Sequence, residues 1–141
     1  MIALLLAIAA QAAPVPSVAP SVLGSIGRQQ LPAKGCAAYL WNATDRQLVA
    51  MAVADPATLR LSIGGRTVDL VRAATEGNAT LGFGASTDYR AEGISARLTM
   101  EVVRQEGLTA GAKVPTGSLQ VDRPGQDGVI VPVAGLVGCA A

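Results

Sequence analysis

Asp88 and Glu92 flank Tyr89 and Arg90, the densest group of reactive side chains in the sequence. Two carboxyls held on either side of a sugar ring are the machinery of a glycosidase. The competing reading is a solvated loop whose charges face water, and the segment reads as that loop. No other group supplies a nucleophile with its base. The chain has no histidine, so a Ser-His-Asp triad is out, along with the commonest general base and metal ligand. Gly93-Ile-Ser95-Ala-Arg97 lacks the second glycine of a nucleophile elbow, and no Ser-x-x-Lys occurs. Gly82-Phe-Gly84-Ala-Ser-Thr87 begins like a dinucleotide fingerprint, ends in threonine, and has no helix to follow. Asp122 and Asp127-Gly128 suggest a calcium turn, but two acids miss the alternating spacing of such a loop. Turn chemistry accounts for both, with Gly128 supplying a positive φ. The expectation is no catalytic, cofactor-binding or metal residue, and no enzyme.

The only cysteines are Cys36 and Cys139. Two thiols without histidine do not complete a tetrahedral zinc shell, and their separation is not that of a redox pair. In an exported chain their default is a disulfide. Residues 1–12, MIALLLAIAAQA, read as a signal peptide, with Ala10-Gln11-Ala12 as the cleavage pattern. The run is too short to span a bilayer, which takes about 20 apolar residues. Residues 13–34 hold four of the eight prolines. They read as a Pro/Ala-rich linker or loosely packed lead-in. Residues 35–141 are then one β-domain, bracketed by the cysteines.

The elements that must position these residues are strands, because alternation outnumbers helical spacing. Thr58–Arg72 is the clearest hairpin. A Gly64-Gly65 turn, where glycine accepts positive φ, sets Ile63 opposite Arg66, Leu61 opposite Val68 and Leu59 opposite Leu70. The other face pairs Ser62 with Thr67 and Arg60 with Asp69, an exposed cross-strand ion pair. Cys36–Thr44 and Leu48–Val53 form an opening hairpin around Asp45-Arg46, with a helix as the alternative for 48–54. Ile94–Val103 is a long half-buried strand, Leu119–Val121 a shorter one, and Leu81–Phe83 a weaker candidate. Pro124–Gly128 turns into a last strand, Val129–Cys139, whose Pro132 points to an edge or a bulge. Seven or eight short strands make an all-β sandwich or small antiparallel barrel stapled by one disulfide.

Partners are constrained mainly by exclusion. Net charge is +1, so no basic field draws nucleic acid. Only Tyr39, Trp41, Phe83 and Tyr89 are aromatic, too few for the girdles of a membrane barrel. Along the first strand Cys36, Ala38 and Leu40 share one face, and Ala37, Tyr39 and Trp41 share the other. With the cysteine face inward, Tyr39 and Trp41 lie outside, where such side chains anchor interfaces. Tyr89 is a third interaction candidate. The sequons Asn42-Ala-Thr44 and Asn78-Ala-Thr80 are read as chance in a bacterial chain.

The layout of Cys36 and Cys139 around a small exported β-domain resembles the bacterial inhibitors of c-type lysozyme. That resemblance implies a small β-barrel and a hydrolase as partner. It is architectural: where that family carries Ser-Gly-x-x-Tyr, Tyr89 here follows Ser86-Thr87-Asp88, and no Trp-Thr-Lys-Gly is present. No functional residue is carried over. The expectation is a non-enzymatic domain, periplasmic or secreted, that binds a protein or envelope component. The alternatives are a lysozyme-type hydrolase inhibitor, or a small-ligand carrier or carboxylate enzyme.

Overall fold

The computed structural model describes residues 22–104, 107 and 111–140; the stretch read as a signal peptide lies outside them. Ten strands follow in order: β1 Leu23–Gly24, β2 Cys36–Asn42, β3 Leu48–Ala54, β4 Ala57–Ile63 and β5 Arg66–Glu76, then β6 Ser86–Ala91, β7 Ile94–Met100, β8 Val103–Arg104, β9 Gly111–Asp122 and β10 Val129–Cys139. Every pairing is antiparallel. β2 to β7, then β9 and β10, pair each with the next. β10 closes back on β2, so eight strands form a closed up-and-down barrel. Closure leaves these eight without the open edges that a flat sheet exposes.

The Gly64-Gly65 hairpin has the register that its turn demands, including Arg60 opposite Asp69 and Leu61 opposite Val68. Both glycines have positive φ, 58° and 81°. Residues 48–54 are strand, not helix. In β9, Ala112 and Val114 point inward, and so do Leu119 and Val121. The odd spacing between these pairs comes from a bulge opposite Val133–Gly135. It breaks the alternation, so only the second half of β9 reads as a strand in the sequence. Pro132 is not at an edge: β9 pairs it on one side, and pairing with β2 begins one residue later, at Val133.

An eight-stranded barrel is just wide enough for its side chains to fill. Leu40, Leu59, Leu61, Leu70, Leu98 and Leu119 are buried and fill this one. Each fully buried leucine contributes about 1.5–3 kcal/mol. Both mouths are plugged. At the mouth with the short turns, Leu23 of β1 pairs opposite Ile63 and is 1% exposed. At the mouth with the disulfide, the β5–β6 loop turns on Leu81-Gly82. Thr80 and Phe83 exchange backbone hydrogen bonds of 2.8 and 3.0 Å. That turn drives Phe83 into the core.

The described part of the Pro/Ala-rich lead-in is a strap along the barrel wall. The Ile26 N–H donates to the Leu48 carbonyl at 2.9 Å. Arg60 donates to the Gln29 side chain at 2.8 Å, and the Tyr39 hydroxyl donates to the Gln30 carbonyl at 3.0 Å. Tyr39, Met51 and Arg60 form one cross-strand row on the outer face. The strap therefore crosses over Met51, which is buried although it points away from the interior. At its end the Ala140 N–H donates to the Gly35 carbonyl, and Cys36 enters β2 directly opposite its disulfide partner Cys139.

Candidate functional site

The carboxylate group comes apart in three dimensions. Residues 86–91 are strand β6 rather than a loop, so Asp88 and Arg90 point outward while Tyr89 points inward. Arg97 of β7 donates to both Asp88 carboxylate oxygens, at 2.8 and 3.1 Å. Glu92, in the β6–β7 turn, pairs instead with Arg66. The Arg97 hydrogen bonds hold the Asp88 carboxyl below its ordinary range. This is opposite to the shift of a general acid that must keep its proton. The two acids line different shallow depressions. One, of about 240 Å³, holds Asp88, Arg90, Ser95 and Arg97 with Gln120 and Asp122. The other, of about 340 Å³, holds Glu92 with Arg66 and Asp69. Asp88 and Glu92 therefore do not face one sugar bond between them.

The turn at Asp127 also differs from its sequence reading. Gly125, not Gly128, has the positive φ of 69°. Gly128 lies against the Asp122 carboxylate, where a methyl group would collide. Among the described residues no group of three metal-binding side chains occurs. Asn42 is buried, and its side-chain oxygen accepts the Thr44 N–H at 2.9 Å. It closes a turn and is not displayed.

Of the three interaction candidates, Tyr89 is a correction. It is 2% exposed inside the barrel, where burial raises its phenol pKa. A partner cannot reach it. A six-residue strand with one bulky inward residue carries little alternation, so the sequence does not show that Tyr89 points inward. Tyr39 and Trp41 do lie on the outer face, opposite Leu40, and both are half-buried. The strap takes the Tyr39 hydroxyl, and burial raises its pKa.

Trp41 stands in surroundings that sequence reasoning did not reveal. Its cross-strand neighbours are Ala134 of β10 and Leu48 of β3. The outward residues of β10 are Ile130, Pro132, Ala134, Leu136 and Gly138, an unbroken apolar stripe. Ile130 is 67% exposed and Leu136 52%. Leu31 of the strap, 55% exposed, lies against Gly138 and extends the stripe. So, among the described residues, three of the five exposed large hydrophobics gather on one face. From Ile130 to Leu136 the stripe runs about 20 Å.

Charge is segregated in the same way. The adjacent strands β3, β2 and β10 contain no charged residue on either face. The opposite wall carries Arg60–Asp69 and Asp88–Arg97 pairs on β4 to β7. The signal was in the sequence: VIVPVAGLVGC is apolar at both phases of the alternation. A strand of that kind is covered on both sides or offers one side to a partner. An apolar centre with Gln120, Ser118 and Lys113 of β9 along its border has the anatomy of a protein interface.

Comparison with family models, curated proteins and solved structures returns no match for this chain.

Proposed function

We propose that this chain is an exported, non-enzymatic β-barrel that binds a protein or envelope component through the outer face of its β2–β10 seam. The observation that carries this reading is the pairing of a filled interior with an exposed apolar stripe beside Trp41. Side chains occupy the barrel and two plugs close its mouths. Recognition then falls to the outside, where solvent-exposed apolar patches mark interaction sites. Trp and Tyr at the centre of such a patch are the residues that anchor partners.

Export to the periplasm or the medium is supported by the apolar first residues and by the disulfide, a bond characteristic of oxidising compartments. The outer wall, with its Arg60–Asp69 and Asp88–Arg97 pairs, has the reverse polarity of a lipid-facing barrel. No helix among the described residues is long and apolar enough to cross a membrane.

A lysozyme-type inhibitor is the second reading. It is favoured by the closed barrel with its disulfide joining the first and last barrel strands. Site-specific photo-crosslinking in the native cell tests the first reading. A photoreactive residue at position 136 is expected to give a discrete adduct, and one at exposed position 71, on β5 four strands away across the barrel, none. Equal adduct formation at both positions, or none at either, overturns the reading.

A further inference from the structure

We propose that the occupant of the seam face is a second copy of this chain, related by a two-fold axis that crosses β10 at Ala134. The inference rests on the reading of the seam as a docking face and names its partner. Ala134 is the midpoint of β10, Val129–Cys139. A symmetric interface brings residue i against j and j against i, and the stripe satisfies that condition about this point. Leu136 of one copy falls on Pro132 of the other. Ile130 falls at the level of Gly138, where Leu31 lies. The three exposed aliphatic residues of this face are thereby covered together.

The axis position has its own supports. Ala134 is small, so two sheets approach closely there. Trp41 is its cross-strand neighbour, so the two tryptophans flank the axis and meet each other. Electrostatics favour the antiparallel arrangement. Lys34 precedes Gly35, which is bonded to Ala140, about seven residues beyond the axis. Asp127 lies seven residues before it in the β9–β10 turn. The two-fold brings Lys34 of one copy to the level of Asp127 of the other, while a parallel arrangement sets like charges together. Arg123, the nearest cation to Asp127 in that turn, lines the short-turn mouth with Gly64 and Gly65, away from the seam. A wall of three strands without a formal charge is matched by a partner wall of the same kind, and a second copy supplies it.

Sedimentation velocity of the native chain at about 100 µM tests the proposal. The expected result is a species of twice the chain mass, with Leu136→Asp shifted to the single-chain mass at unchanged circular dichroism. An Ala134→Cys variant is expected to form a covalent dimer on oxidation, with Val71→Cys, exposed on β5 across the barrel, as the control that does not. A single-chain mass for the wild type overturns the second copy as partner, and so does a dimer that Leu136→Asp leaves intact. In either case the photo-crosslink at position 136 still decides separately whether the seam binds another macromolecule. An adduct there with a lipid or a different protein replaces the second copy and leaves the docking face standing.

Discussion

Cys36 and Cys139 face each other as cross-strand partners at the seam where the last barrel strand closes on the first. The same seam carries Trp41 and Leu136 on its outside. The bond that holds the closing pair thus also fixes the platform of the candidate binding face. It joins residues 103 apart, and a loop of that length restricts the unfolded chain by about 4–5 kcal/mol. Paired Cys36→Ser and Cys139→Ser substitution is expected to lower unfolding free energy by that amount in a denaturant titration. A loss below about 1 kcal/mol would show that strand pairing alone closes the seam.

Leu23 tests whether the strap belongs to the fold. It plugs the short-turn mouth beneath Ile63 and is 1% exposed. Leu23→Ala is expected to cost about 2–5 kcal/mol, as for other buried leucines. A change below about 0.5 kcal/mol in the same titration would return residues 22–34 to the status of a tether.

Gly135 tests the close approach of β10 to β2. A methyl group there would collide with the Tyr39 carbonyl oxygen of the neighbouring strand. Backbone of two strands cannot yield as a flexible side chain does, so Gly135→Ala is expected to destabilise by about 3 kcal/mol, the upper end of the usual cost of overpacking. Gly27→Ala, with open space around it, serves as a comparison that carries only the cost of its φ of 74°, about 1–2 kcal/mol. The order of the two melting temperatures is the readout.

Asp88 gives a pH signature. Arg97 depresses its folded pKa through two hydrogen bonds. A depressed carboxyl stabilises the fold above its unfolded pKa and loses that contribution as pH falls through the folded value. Melting temperature measured from pH 6 downward should therefore fall less steeply in Asp88→Asn than in wild type below about pH 4. Both side chains are substantially exposed, so the difference is small and shrinks with salt. Identical profiles would mean that the pair contributes nothing in solution.

The lysozyme reading has a direct assay. The purified barrel at micromolar concentration either slows a c-type lysozyme or leaves its rate unchanged. A slowed rate that Leu136→Asp restores would make that hydrolase the occupant of the seam.

The barrel was legible where turn chemistry and alternation agreed. Gly64-Gly65 sets a register that the flanking residues repeat pair by pair, so β4 and β5 could be written down from the sequence. It failed where backbone irregularity shifts the phase. The bulge opposite Val133–Gly135 splits β9 into two halves out of step, and β6 has only Tyr89 as a bulky inward residue. The same weakness misplaced Tyr89 on the surface. Trp41 was found because it alternates with Leu40, but its surroundings were not. Leu48 comes beside it through the local β2–β3 hairpin, but Ala134 joins it only through the closing pair with β10, which nothing local encodes. The separation of Asp88 from Glu92 was equally non-local, since their arginine partners lie on β7 and at the start of β5.

Trp41 is the only tryptophan, so its fluorescence reports on the seam face alone. The most direct measurement is acrylamide quenching of that emission in dilute chain, in concentrated chain, and in chain mixed with its native envelope fraction. The expected result is quenching that weakens and emission that shifts to the blue on concentration or on mixing, with Leu136→Asp showing neither change. Trp41 equally accessible under all three conditions would contradict the assignment of the seam as the binding face.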